Sequence, residues 1–112
     1  MTTYHLEPDS GPDLQFAGEL IAVSDSREGE SRADPGYDGG YWSVLRIYRT
    51  EAGEYVAEAI KCRNSLERSR AARCADHAAV VAFFHGPDGR NANWLTKDVL
   101  DQASIPHTEV IP

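Results

Sequence analysis

The chain has 112 residues, 41% of them apolar and 26% charged, with a formal net charge of −7. This is the composition of a globular domain with one modest core, long enough to bury roughly 60 to 70% of its unfolded surface without needing disulfides or a metal to fold. The longest apolar run, residues 78–84, is seven residues, against the about 20 that a bilayer-spanning helix requires.

Taken in chain order, the opening "MTTYHLEPDSGPD" holds two prolines, a glycine and scattered polar residues, so residues 1–13 read as a loosely ordered N-terminal segment. It has neither a basic n-region nor an apolar h-region, and a cytoplasmic location is therefore expected. In "LQFAGELIAVS" the apolar residues Leu14, Phe16, Leu20, Ile21, Ala22 and Val23 indicate a strand over 14–24, with Gly18 marking a bulge or a close backbone approach.

Residues 25–40, "DSREGESRADPGYDGG", contain four glycines and five acids and no Leu, Ile, Val or Phe. A connection of that length exceeds what joining two elements requires, and such loops tend to be functional or disordered. The next stretch, "YWSVLRIYRTEAGEYVAEAIKC", is rich in aromatic and β-branched residues on both faces. It reads as a β-hairpin turning at Gly53. "RNSLE" then reads as a turn, and residues 68–75 as a fourth strand, although their alanines and arginines also suit a helix.

Asp76 has the chemistry of a helix N-cap for "HAAVVAFFHG", whose Val80, Val81, Phe83 and Phe84 can cover a sheet face before Gly86 ends the helix. The last helix, within 93–105, presents Leu95, Val99 and Ala103 as its stripe, Trp94 and Leu100 at its edges, and Thr96, Lys97, Asp98, Asp101 and Gln102 outside. The expected fold is α+β: an antiparallel sheet of three to four strands packed by two, or three, C-terminal helices. It forms a single domain over 14–105, with 106–112 as a tail.

Catalytic, cofactor and metal chemistry find no pattern. Cys62 and Cys74 lie twelve apart without a CxxC or a histidine at ligand spacing, and on neighbouring strands they could face one another or remain small buried thiols. His77 and His85, at the two ends of one helix, are about 12 Å apart along its axis, too far to share a metal, while His5 and His107 lie near the termini. No GxSxG elbow or Gly-rich phosphate loop occurs. Glu19 and Glu58, in strand patterns, read as outward residues. A non-enzyme is expected, with no catalytic, cofactor or metal site; the alternative is an enzyme whose site forms only in three dimensions.

Charge is unevenly spread, with twelve acids and four bases from Met1 to Glu58 but six acids and seven bases from Ala59 to Pro112. The acidic half favours a protein partner with a basic surface. Asp25, Glu28, Glu30, Asp34, Tyr37, Asp38 and Tyr41 are its candidate contact residues. The one basic cluster, Lys61, Arg63, Arg68, Arg70 and Arg73, suits a phosphate backbone or the charge that guards a sheet edge. The overall negative charge argues against nucleic acid, and a homodimer through an unpaired edge is a further option.

The segments "GELIAVS", "YWSVLRIYRTEAGEYV" and "FFHGPDGRNANWLTKDVLDQASI" resemble a loose group of small proteins of bacterial mobile elements and phages. The matching positions are Gly18, Glu19, Leu20 and Ala22; Trp42, Leu45, Arg46, Ile47, Tyr48, Arg49, Thr50, Gly53, Tyr55 and Val56; and Leu95, Leu100, Ala103 and Ile105. In that group the segment before the tryptophan is shorter. The resemblance brings no catalytic signature. By context it implies an inhibitor, of the kind represented by anti-CRISPR proteins, that occupies a basic nucleic-acid-binding surface of a host defence complex.

Overall fold

The computed structural model describes residues 1–28, 41–86, 93–108 and 110–111, with only the backbone of Glu28 and Tyr41. Five strands follow one another as an antiparallel meander: β1 (Thr2–Leu6), β2 (Leu14–Asp25), β3 (Tyr41–Thr50), β4 (Tyr55–Arg63) and β5 (Leu66–Cys74). A short 3-10 turn, Ser26–Glu28, follows β2, and two helices, α1 (His77–His85) and α2 (Trp94–Gln102), complete the described elements.

This corrects the expected architecture. The molecule remains broadly α+β, but it is mostly sheet, with five strands curled into a half-barrel and two short helices lying against part of it, rather than three to four strands packed by C-terminal helices. The additional strand is β1, in the stretch expected to be loosely ordered. Pro8, Gly11 and Pro12, which suggested disorder, all fall after the strand has ended. Within it, Tyr4 pairs with Phe16 and Leu6 with Leu14. The Tyr4 ring lies 5.4 Å from that of Phe16 and 4.7 Å from that of Tyr48, and such aromatic contacts add to simple area burial.

The central strands have to bury both faces. Leu45, Ile47, Ala57 and Ala59 join Val80, Phe84, Leu95, Val99, Leu100 and Ile105 in the core beneath the helices. Val44, Tyr48, Val56 and Glu58, at the alternate positions, are buried as well, inside the curl. The curl is closed by the β1–β2 connection, which runs along the free edge of β5. There the Asp9 amide donates to the Ser69 carbonyl oxygen (3.0 Å), the Ser69 amide donates to Asp9 Oδ2 (2.6 Å), and Ser10 bridges to Arg70 in parallel.

Both helices are capped by side chains, Asp76 as the sequence marks and Asn93 as the structure adds. Asp76 accepts from the Ala79 amide (2.9 Å) and Asn93 from the Thr96 amide (3.1 Å), each satisfying a backbone donor that the helix cannot. Helix α1 packs on β4 and β5, and α2 on β2 and β3. The edge of β2 beyond its pairing with β1 is met by Gln102, which donates to the Val23 carbonyl oxygen (2.8 Å) and accepts from the Val23 amide (3.1 Å). Ser24 donates to Asp98 (2.7 Å) at the same junction. So fixed, α2 buries a wider stripe than its pattern suggested. Thr96, expected outside, and Leu100, expected at the edge, are both buried with Leu95 and Val99. Cys62 and Cys74 are free, and the register sets them opposite Glu67 and Tyr55, at different ends of the hairpin.

A register shift between Leu20 and Ala22 places a bulge at the centre of β2, and Gly18 pairs with Thr50, close against the backbone of β3. A Cβ at Gly18 would collide with the Arg49 carbonyl oxygen, whereas one at Gly53, in the hairpin turn with φ +87°, would meet nothing. Gly53→Ala should therefore cost only the left-handed backbone penalty, about 1 to 2 kcal/mol. Gly18→Ala must displace a strand and should cost more than Gly53→Ala, which chemical denaturation of the two variants measures.

Candidate cationic site on the β4–β5 hairpin

Among the described residues, neither helix packs on the end of β4–β5 next to its turn, where Asn64 and Ser65 adopt φ values of 52° and 66°. Strand parity decides which basic side chains share that face. Lys61 lies directly opposite Arg68, Ala59 opposite Arg70, and Arg63 opposite Leu66. Arg73 pairs in register with Val56, which belongs to the inner face, and its Nε bonds both carboxylate oxygens of Glu54 at 3.1 Å. Four of the five basic residues expected from sequence are thus brought together, and Arg73 is not.

Their surroundings differ. The Arg70 guanidinium lies 4.2 Å from the Phe83 ring centre and donates to the Phe83 carbonyl oxygen (2.8 Å). Burial there pushes its pKa below the ordinary arginine value. Lys61 and Arg68 are exposed and form no ion pair with any described residue. Facing cross-strand side chains have Cβ atoms about 4.5 to 5.5 Å apart, and like charges so placed repel.

Two hollows flank this pair, and both are lined by Lys61 and Arg68. One, of about 300 Å³, is completed by Asp9, Ser10, Ala59, Ser69 and Arg70. The other, of about 590 Å³, is completed by Ser26, Trp42, Ser43, Cys62, Arg63, Leu66 and Asn93. Asn93 is the cap of α2, so the positive end of that helix dipole borders the larger hollow. Sequence reasoning found the cations but not Asp9, Leu66 or Asn93. Leu66 could have been read from hairpin parity, while Asp9 reaches the site only because the sheet closes on itself.

Of the acidic set, only Asp25 has a described side chain. Its carboxylate is engaged by Arg27, through Nε at 3.0 Å and Nη2 at 2.7 Å, while the Arg27 guanidinium lies 4.1 Å from the Trp42 ring centre. Glu30, Asp34, Tyr37 and Asp38, with the side chains of Glu28 and Tyr41, lie outside what is described.

Three other polar clusters lie elsewhere among the described residues. Glu58, expected to point outward, is buried inside the curl, where Arg46 Nη1 (3.1 Å) and the Tyr48 hydroxyl (3.2 Å) donate to its Oε1. It therefore serves an internal polar network, whereas Glu19 is exposed as expected. The Tyr55 hydroxyl accepts from Arg49 Nη1 (2.9 Å) and meets His77 Nε2 at 2.9 Å, a geometry that pins the start of α1 to the sheet. His5, Glu7 and Asp13 bring one ligand atom each within 4.8 Å of one another at an exposed position. That trio could hold a divalent cation, and His5 Nε2 pairs with the two carboxylates at 3.5 and 3.6 Å.

The chain matches no protein-family model, no curated protein and no solved structure. No described helix is long and apolar enough to cross a membrane.

The buried network yields a pH prediction. Burial first, then the neighbouring Glu58 carboxylate, push Tyr48 up from 10.0 to about 12. Between those values the unfolded chain has released a phenolic proton that the folded chain keeps. The Tyr48 contribution to stability is thus complete below pH 10 and is lost as the pH rises toward 12. Ultraviolet absorbance titration should show one tyrosine ionising near pH 12, and Tyr48→Phe should remove that transition.

Proposed function

We propose that the chain is a non-enzymatic binding protein that takes an anionic partner at the cationic end of the β4–β5 hairpin. The single observation that carries this reading is the Lys61–Arg68 pair, two exposed like charges held in direct cross-strand register without a described counter-ion. Guarding an edge does not account for it, because Lys61 is on β4, which is hydrogen-bonded on both sides. An anion bound between the two would relieve their repulsion and gain charge-assisted hydrogen bonds from both. Support for a binder comes from the open setting of the hollows and from the pKa shifts among the described residues, which trace to packing or ion pairing.

A second reading rests on the acidic half, with twelve acids against four bases through Glu58. In it the chain uses Asp25, Glu28, Glu30, Asp34 and Asp38 to occupy the basic nucleic-acid-binding surface of a defence complex, as its resemblance to small mobile-element proteins implies.

Calorimetric titration at low salt with inorganic polyphosphate, and separately with polylysine, distinguishes them. The first reading predicts polyphosphate binding that weakens about tenfold or more in Lys61→Gln and in Arg68→Gln, as lost charge-assisted bonds require. Lys97→Gln on α2 should leave it unchanged. Binding of polylysine alone would overturn the first reading in favour of the second.

A further inference from the structure

We infer that the anion seated between Lys61 and Arg68 is a phosphodiester of single-stranded nucleic acid, with the nucleosides on either side of it lodged in the two adjoining hollows. This rests on the reading that the pair binds an anion and adds what that anion belongs to.

The geometry is that of a phosphate between two receptacles. Lys61 and Arg68 line both hollows and so form the boundary between them. With volumes of about 300 and 590 Å³, both hollows reach the size of small-molecule sites, about 300 to 1,000 Å³. A free phosphate or a sulfate would use the boundary and leave both hollows empty. A polynucleotide strand repeats the required order of flat group, phosphate, flat group. Bases can turn into concave sites only when unpaired, which favours a single strand over a duplex.

The chemistry of each hollow fits a base. The smaller one is lined by Ala59 and by Asp9, whose Oδ2 is bonded to Ser69 and whose Oδ1 has no described partner. A carboxylate oxygen so placed accepts from an exocyclic amino group, as acidic side chains do toward cytosine. In the larger one, Leu66 is 57% exposed and supplies apolar surface for a ring, while Asn93 brings an amide suited to a base edge. An acidic peptide would satisfy the cations but does not set a flat group on each side of every anion, as a polynucleotide does.

The net charge of −7 is not the local charge: among the residues lining the two hollows, Asp9 is the one carboxylate against Lys61, Arg63, Arg68 and Arg70. Glu67 lies on the opposite face by register, being paired with Cys62. Glu54 and Asp76 lie at the far end of the hairpin, where Tyr55 pairs with Cys74, about 20 Å from Lys61 at the rise of a strand. That is more than twice the Debye length of about 8 Å at physiological ionic strength.

The test uses the full chain and fluorescence anisotropy with four labelled probes: a mixed-sequence single-stranded octanucleotide, its abasic counterpart with the same phosphates, a duplex of the same length, and an acidic phosphopeptide. The single strand should bind at least tenfold more tightly than the other three. Lys61→Gln and Arg68→Gln should each weaken it at least tenfold and reduce the salt slope by about 0.7, the increment of one single-strand phosphate contact. Leu66→Ser, a change at an exposed position, should weaken the single strand while leaving the abasic probe and the salt slope unaltered. Asp9→Asn, which keeps an acceptor for Ser69, should alter base preference. Equal binding of the abasic strand would overturn the nucleoside assignment while leaving anion binding standing. Tighter binding of the phosphopeptide would overturn it in favour of an acidic protein partner. Absence of binding by all four would remove both readings together.

Discussion

The constraint from which the rest follows is that the β3–β4 hairpin is apolar on both faces. Val44 and Tyr48 alternate with Leu45 and Ile47 on one strand, and Val56 with Ala57 on the next, and all are buried. A flat sheet with one solvated side could not satisfy them. The chain solves one face by laying α1 and α2 against it and the other by curling, so that β1 and its aromatic residues close over the interior. Gly18 and the bulge near Ile21 permit the close approach and the bend, a combination typical of strongly curved sheets. The Asp9–Ser69 clasp then ties the two ends of the sheet together.

Two nine-residue helices cannot cover the whole outer face. One lies toward the Tyr55 end of β4–β5 and the other over β2–β3, and neither they nor any other described element packs over the end that carries Lys61, Arg63 and Arg68. The cationic site is therefore a consequence of architecture, an area that the described helices do not reach and the sequence fills with charge. Arg70 marks its border, already anchored to α1 through Phe83.

What was legible in the sequence was local. Asp76, Gly53 and Gly86 act through their own backbone neighbours, so the first cap, the central turn and the end of α1 could be read directly, and the Asn93 cap, equally local, was missed. What was hidden depended on partners distant in sequence. β1 is short, and prolines follow it; its order comes from Phe16 and Tyr48 rather than from its own propensity. Glu58 looked like an outward residue because nothing in its segment reveals that Arg46 and Tyr48 face it inside a curl. The five basic residues looked like one patch, and only the pairing register separates Arg73 from the others. Asp9 joins the site across 60 positions of sequence, a contact no periodicity can announce.

If Lys61 and Arg68 are held opposite one another for the sake of a ligand, the unliganded protein carries a repulsion that a variant can remove. Facing like charges cost on the scale of about 0.2 to 1 kcal/mol. That corresponds to roughly 1 to 4 °C in the melting midpoint of a domain of this size. The most direct measurement is thermal unfolding of Lys61→Gln and of Arg68→Gln beside the parent protein, without ligand, at low and high salt. A higher midpoint for each variant at low salt, with the gain shrinking as salt screens the charges, is the predicted result. Midpoints equal to or below that of the parent at low salt would contradict it.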